Sequence, residues 1–152
     1  MWFHGLIGYT VDRGKTMLFK QDKIRSYEEV NYRISGMRMT REYEIISKGK
    51  VAEVSEYTIY YSGHEDERVL DRRVLCDNEM MIELLNACGI MRWDGFSGKH
   101  PFGVSDGEMF EFSALVNDGK TIRASGSENF PKYFPEFRKQ INTILSECNS
   151  IM

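Results

Sequence analysis

The sequence predicts an α+β fold: an antiparallel sheet with two helices packed on one face, built as two successive strand–strand–helix units. Three observations lead there. Residues 54–88 read as strand, loop, strand, helix, and residues 108–148 as strand, tight turn, strand, helix. Aromatics make up 12% of the chain, with 9 Phe and 8 Tyr, and aromatic side chains suit half-buried strands. Each helix carries one apolar stripe, and the inner face of a sheet is the surface that can bury it.

The length, 152 residues, fits a single domain over residues 1–152 with one core. Composition excludes disorder, since 41% of residues are hydrophobic and the net charge is only −3. The elements follow in order. Within residues 1–23, "FHGLIGYTV" and "TMLFK" read as strands around Asp12-Arg13-Gly14-Lys15, an edge hairpin or an arm. From Ile24, "IRSYEEVNYRI" alternates until Ser35-Gly36, and "RMTREYEII" runs to a turn at Ser47-Lys48-Gly49-Lys50. "VAEVSEYTIYY" is a strand with Tyr57, Ile59 and Tyr61 on one face. After the loop "SGHEDE" comes "RVLDRRVL", in which simple alternation sets Leu70 and Val74 opposite Val69 and Leu75.

Asp77 or Asn78 caps the first helix, whose Met81, Leu84, Leu85 and Cys88 follow helical spacing up to Gly89. Residues 91–107 hold four Gly and one Pro and read as loop. "EMFEFSALV" and "KTIRAS" flank Asn117-Asp118-Gly119, a strong hairpin signal. Residues 131–148 form the second helix, with Phe134, Phe137, Ile141, Ile144 or Leu145, and Cys148 as its stripe.

Several function classes find little support. Residues 1–50 carry ten Lys/Arg against six Asp/Glu, but the cations are scattered, and a nucleic-acid surface shows a denser patch. No apolar run reaches the ~18 residues of a membrane span, and the first residues, "MWFHGLIGYTVDRGK", lack the basic start of a signal peptide. Cys76, Cys88 and Cys148 are odd in number and lack C-x-x-C spacing, which suits a reducing, cytoplasmic setting. Asp94-Gly95, Asp106-Gly107 and Asp118-Gly119 recur every 12 residues, but a strand separates the last two aspartates, so they read as turns. His4, His64 and His100 show no paired-ligand spacing, and the cluster His64 to Glu67 reads as a solvated loop. No metal or cofactor is expected.

Trp93-Asp94-Gly95-Phe96, Asp106-Gly107 before Phe110, Asp118-Gly119-Lys120, Ser125-Gly126-Ser127, Phe130-Pro131 and Phe134 together resemble a bacterial domain family of unknown function. Its pattern runs W-D-G, D-G-x-x-W, D-G-K-x-I, then S-G-S-N-x-Y-P-x-N-F. The resemblance spans about residues 24–148 and implies one fold, with no activity attached. Phe110 stands where that pattern has Trp, and Glu128-Asn129 where it has Asn and a small residue.

Two segments are left to carry function. The loop 91–107 offers Arg92, Trp93, Asp94, Phe96, His100 and Phe102, residue types that anchor interfaces. The alternative for Trp93 and Phe102 is that they seal the end of the core. The turn 125–130 offers Ser125, Ser127 and Asn129, with Gly126 supplying an unusual backbone angle and Ser127 or Asn129 capping the helix. Ser127 lacks the G-x-S-x-G setting of a nucleophile elbow. The leading expectation is a non-catalytic binding module, taking a protein partner or a small ligand at these two segments. One alternative is a small hydrolase using Cys76 or Ser127 with His100 as base, Cys76 being activated by the helix N-terminus. Another is an architectural homodimer module, pairing through an uncovered strand in residues 1–23.

Overall fold

In the computed structural model, which describes residues 10–12, 15–17, 23–37, 39–105 and 107–151, the first described elements are two short strands. β1 (Thr10–Asp12) and β2 (Lys15–Met17) pair antiparallel with each other and do not join the main sheet. The rest of the expected 1–23 hairpin lies outside the described residues, apart from Lys23.

Among the described residues the main sheet holds eight strands. They are β3 (Tyr27–Ser35), β4 (Thr40–Lys48), β5 (Val51–Tyr61), β6 (Asp66–Asp77), β7 (Ser97–Gly98), β8 (Met109–Val116), β9 (Lys120–Ser127) and β10 (Asn149–Ser150). Their order is β10-β6-β5-β4-β3-β8-β9-β7. Every neighbouring pair is antiparallel except β7 with β9, so the sheet is mixed where a purely antiparallel one was expected. The exception arises because the loop after the first helix returns along the edge of β9. There Gly95 N donates to Arg123 O at 2.8 Å and Asp94 Oδ1 accepts from Arg123 N at 3.0 Å. The β4–β5 hairpin turns through Gly49-Lys50, and Gly49, at φ 84°, takes the left-handed angle that a two-residue hairpin needs.

β6 departs from simple alternation. Its register with β5 runs Arg72↔Glu56 and then Leu70↔Tyr57, so Asp71 is an extra residue. A bulge of this kind reverses which face each later side chain takes. Leu70 therefore shares a face with Leu75, and Val69 with Val74, which corrects the expected pairing of Leu70 with Val74.

Helices α1 (Asn78–Ala87) and α2 (Phe134–Glu147) cover one face of the sheet. Asp77 caps α1 by accepting from Met80 N at 2.9 Å, and Gly89, at φ 66°, follows the last turn. α2 starts three residues later than expected. Neither Ser127 nor Asn129 caps it: Tyr133, at φ 72°, is the N-cap without a side-chain bond, and Pro135 sits in the first turn. Pro131 to Phe134 instead form their own turn, closed by Phe134 N on Pro131 O.

Both helices, Tyr32, Tyr43, Val54, Val74, Phe110 and Phe112 join one buried cluster. Trp93 lies inside it, on a 3-10 turn over Ile90–Trp93 within the expected loop. Its ring meets Phe112, Phe134 and Phe137 at 4.9–5.9 Å, and its Nε1 donates to Lys132 O at 3.0 Å. The covered face also holds a buried carboxylate. Glu56 accepts from Arg72 Nε at 2.8 Å and Tyr43 OH at 3.0 Å, with Arg41 Nη1 at 3.4 Å. Burial alone would raise the Glu56 pKa, but the Arg72 and Tyr43 bonds and the two guanidinium charges outweigh it and hold it below the usual value. The same burial, with Glu56 beside it, pushes Tyr43 up to about 12.

Candidate functional site

Among the described residues no helix covers the opposite face of the sheet, and there the register lines up polar side chains in rows. One row crosses Ser125, Glu111, Arg33, Glu42 and Tyr57 on five adjacent strands. The next crosses Arg123, Ser113, Asn31, Glu44, Ser55 and Arg73. An open groove of about 750 Å³ lies over these rows, lined among others by Arg33, Glu42, Arg68, Glu111, Arg123 and Phe96.

Part of this surface is internally compensated. Glu42 takes Arg68 Nε at 2.8 Å and lies 3.5 Å from Arg33 Nε, while Arg33 Nη2 donates to Tyr61 OH. The Arg68 guanidinium lies 3.4 Å over the Tyr57 ring, and the Tyr57 hydroxyl accepts from Arg73 at 2.8 Å. The other part is not compensated. Among the described residues neither the Arg123 guanidinium nor the Glu111 carboxylate has a partner, and both are exposed at the groove. A second hollow, about 510 Å³, follows the flank of α2, where Arg138 already forms a two-pronged pair with Glu108.

The expected site residues divide. Phe96 and Ser125 line the groove, joined by Ser125 N donating to Phe96 O at 3.0 Å. Trp93 does not: it is 2% exposed and belongs to the core, so it is no surface anchor. Asp94 clamps the β9 backbone. Arg92 is exposed on the 3-10 turn and does not line the groove. Phe102, contrary to sealing the core, is fully exposed. Asn129 Nδ2 donates to Lys99 O at 3.2 Å, linking the turn to the loop. Gly126 has no left-handed angle; it is needed because a Cβ would sit 1.9 Å from the Asn129 carbonyl.

His100 and Ser127 do meet. Ser127 Oγ lies 2.8 Å from His100 Nδ1, and His100 Nε2 lies 2.5 Å from Val104 O. Cys76 is not their equal. It is buried on the helix side of β6, and burial, then Cys148 and Asp77, push its thiol up to about 11, opposite to the activation expected from the helix terminus.

Among the described residues, seven of the ten exposed large hydrophobic side chains gather at one end of the sheet: Met37, Met39, Tyr60, Tyr61, Phe102, Val104 and Met109. Of these, only Phe102 is among the expected loop anchors; the five on or beside β3, β4, β5 and β8 are not. It also missed the groove's charges. Their signal was present in the odd-numbered polar residues of β8 and β9, which alternate with Phe110, Phe112, Ile122 and Ala124.

Among the described residues, no group of three or more His, Cys, Asp or Glu is placed to hold a metal ion. No described helix is long and apolar enough to cross a membrane. Asp106, of the second Asp-Gly pair, lies outside the described residues. Comparison with family models, with curated proteins and with solved structures finds no match, so the likeness to the bacterial domain family rests on the motifs alone.

Proposed function

We propose that the protein is a binding module whose ligand lies in the groove on the open sheet face, between the strands and the loop 91–107. The observation that carries this is the pair of unpartnered opposite charges, Arg123 and Glu111, facing one groove beside the hydroxyls of Ser113 and Ser125. In an antiparallel sheet one face is commonly just solvated. Here, however, the groove has a side wall, Phe96, and polar groups that converge from five strands. Those features favour a small polar compound bearing an anionic group, held by Arg123, with Ser and Asn side chains fixing its orientation.

The two strand–strand–helix runs serve, in this reading, as the scaffold that keeps the face flat and open. The apolar end of the sheet extends it to a docking partner, a protein or a second copy. Three cysteines free of disulfides suit a reducing, cytoplasmic setting.

The test is a thermal-shift titration with phosphate, simple dicarboxylates and free amino acids. A compound at 100 times its dissociation constant adds about 2.7 kcal/mol, which raises the midpoint by several degrees in a chain of this size. The shift should vanish in Arg123→Ala, whose own midpoint stays near that of the wild type. A shift that persists in Arg123→Ala would remove the groove from the account.

A further inference from the structure

We propose that Ser127 is a nucleophile with His100 as its base, and that the protein accepts acyl groups from small esters at this hydroxyl. The argument starts from the two bonds to the imidazole. Nε2 lies 2.5 Å from the Val104 carbonyl oxygen. A carbonyl only accepts, so Nε2 is the ring nitrogen that carries hydrogen. In a neutral imidazole Nδ1 then has a free lone pair. Ser127 Oγ, 2.8 Å away, must donate to it. The hydroxyl thus points its proton at a base, and a third group fixes the ring's tautomer. That is the arrangement of an activated serine, with a backbone carbonyl doing the orienting that a carboxylate does elsewhere.

The pair is held by backbone on both sides. Ser97↔Ser125 and Gly98↔Gly126 zip the loop against β9 immediately before His100 and Ser127. Asn129 Nδ2 on Lys99 O adds a third tie. His100 is exposed and Ser127 half-buried, so a reagent can reach them.

The substrate class follows from position and rests on the groove reading. Ser127, Ser125 and Arg123 alternate along one face of β9. A compound anchored at Arg123 would span four residues, ~13 Å, to place its acyl carbon at Ser127. The expected substrate is therefore an ester with an anionic or polar remainder lying along β9.

The chemistry balances without a further reagent. Oγ forms a bond to the acyl carbon as its proton passes to Nδ1. The ester C–O bond breaks, and the departing alkoxide takes that proton. Water then adds to the acyl-serine carbon, giving its proton to Nδ1, and Ser127 leaves and recovers it.

The probe is p-nitrophenyl acetate, with the acetyl group located by mass spectrometry after digestion. Its acyl group is uncharged and small, so its reaction does not depend on Arg123, and the nucleophile and the groove fail separately. Acetyl on Ser127, absent in Ser127→Ala, is the expected result. His100→Gln should keep its circular dichroism spectrum and lose labelling rate by about 10²-fold or more, the usual size of general-base assistance. Acetyl found only on other residues, or an unchanged Ser127 rate in His100→Gln, overturns the proposal.

Discussion

Replacing Trp93 by Ala removes the largest fully buried side chain among the described residues. The indole makes edge contacts with Phe112, Phe134 and Phe137 and bonds Lys132 O. Truncating a buried Trp to Ala costs about 3–5 kcal/mol, the spread reflecting how far the site collapses. Against a total of about 5–15 kcal/mol for an ordinary domain, that is a large fraction. In a chain of this size it lowers the thermal midpoint by roughly 6–20 °C. Trp93→Phe keeps a ring in the cluster but leaves the Lys132 carbonyl without its donor, and should cost about 1–2 kcal/mol. Phe102→Ala is the control, because a fully exposed ring should change stability by no more than about 0.5 kcal/mol. Urea unfolding followed by circular dichroism measures all three. A cost below about 1 kcal/mol for Trp93→Ala would refute the placing of Trp93 in the core.

Glu56→Gln should cost about 1–2 kcal/mol at neutral pH, less than the ~3–5 kcal/mol of a fully buried pair, because Arg72 and Arg41 are a third or more exposed. The Glu56 pKa is depressed in the fold, so its stabilisation is complete above the ordinary glutamate range and fades as pH falls through the lower, folded value. The wild type should therefore lose stability on acidification more steeply than Glu56→Gln; parallel acid limbs in urea titrations would show that the carboxylate is not held this way. Gly126→Ala should destabilise by about 1–3 kcal/mol, since the new Cβ meets backbone rather than a movable side chain. Gly36→Ala, with 3.8 Å to the nearest atom, should be nearly neutral, and equal effects at the two sites in the same assay would contradict the crowding at Gly126.

What could be read from the residues was whatever depends on short-range pattern. The Asn117-Asp118-Gly119 hairpin, the Asp77 cap and the stripe of α2 all rest on neighbours within a few positions, and the structure has each of them. What could not be read depends on the partner strand or on packing. The bulge at Asp71 exists only relative to β5, so the faces of Val69 and Leu70 were assigned one step out. Trp93 has the composition of an interface anchor, and only the arrival of α2 makes it core. Gly126 calls for space rather than for an angle, and sequence does not separate the two demands. The groove needed the register of five strands. The meeting of His100 with Ser127 needed the parallel pairing of β7 with β9, which two residues of "SG" do not announce.

The order of the strands also bears on how the chain assembles. β3 to β6 are consecutive hairpins, and α1 follows them directly. The two halves of the sheet meet when β8 pairs with β3, joining residues as distant as Tyr27 and Val116. Closing such a long span costs entropy before any contact repays it, which slows folding. During synthesis β3 therefore waits with one bare edge until β8 has emerged, and on that edge Val30, Tyr32 and Ile34 still lack the Ala114, Phe112 and Phe110 that stand beside them in the finished sheet. The interval between the two strands is when this chain is most exposed to pairing with a neighbour, and the charges of Glu29 and Arg33 on the same strand are what oppose it.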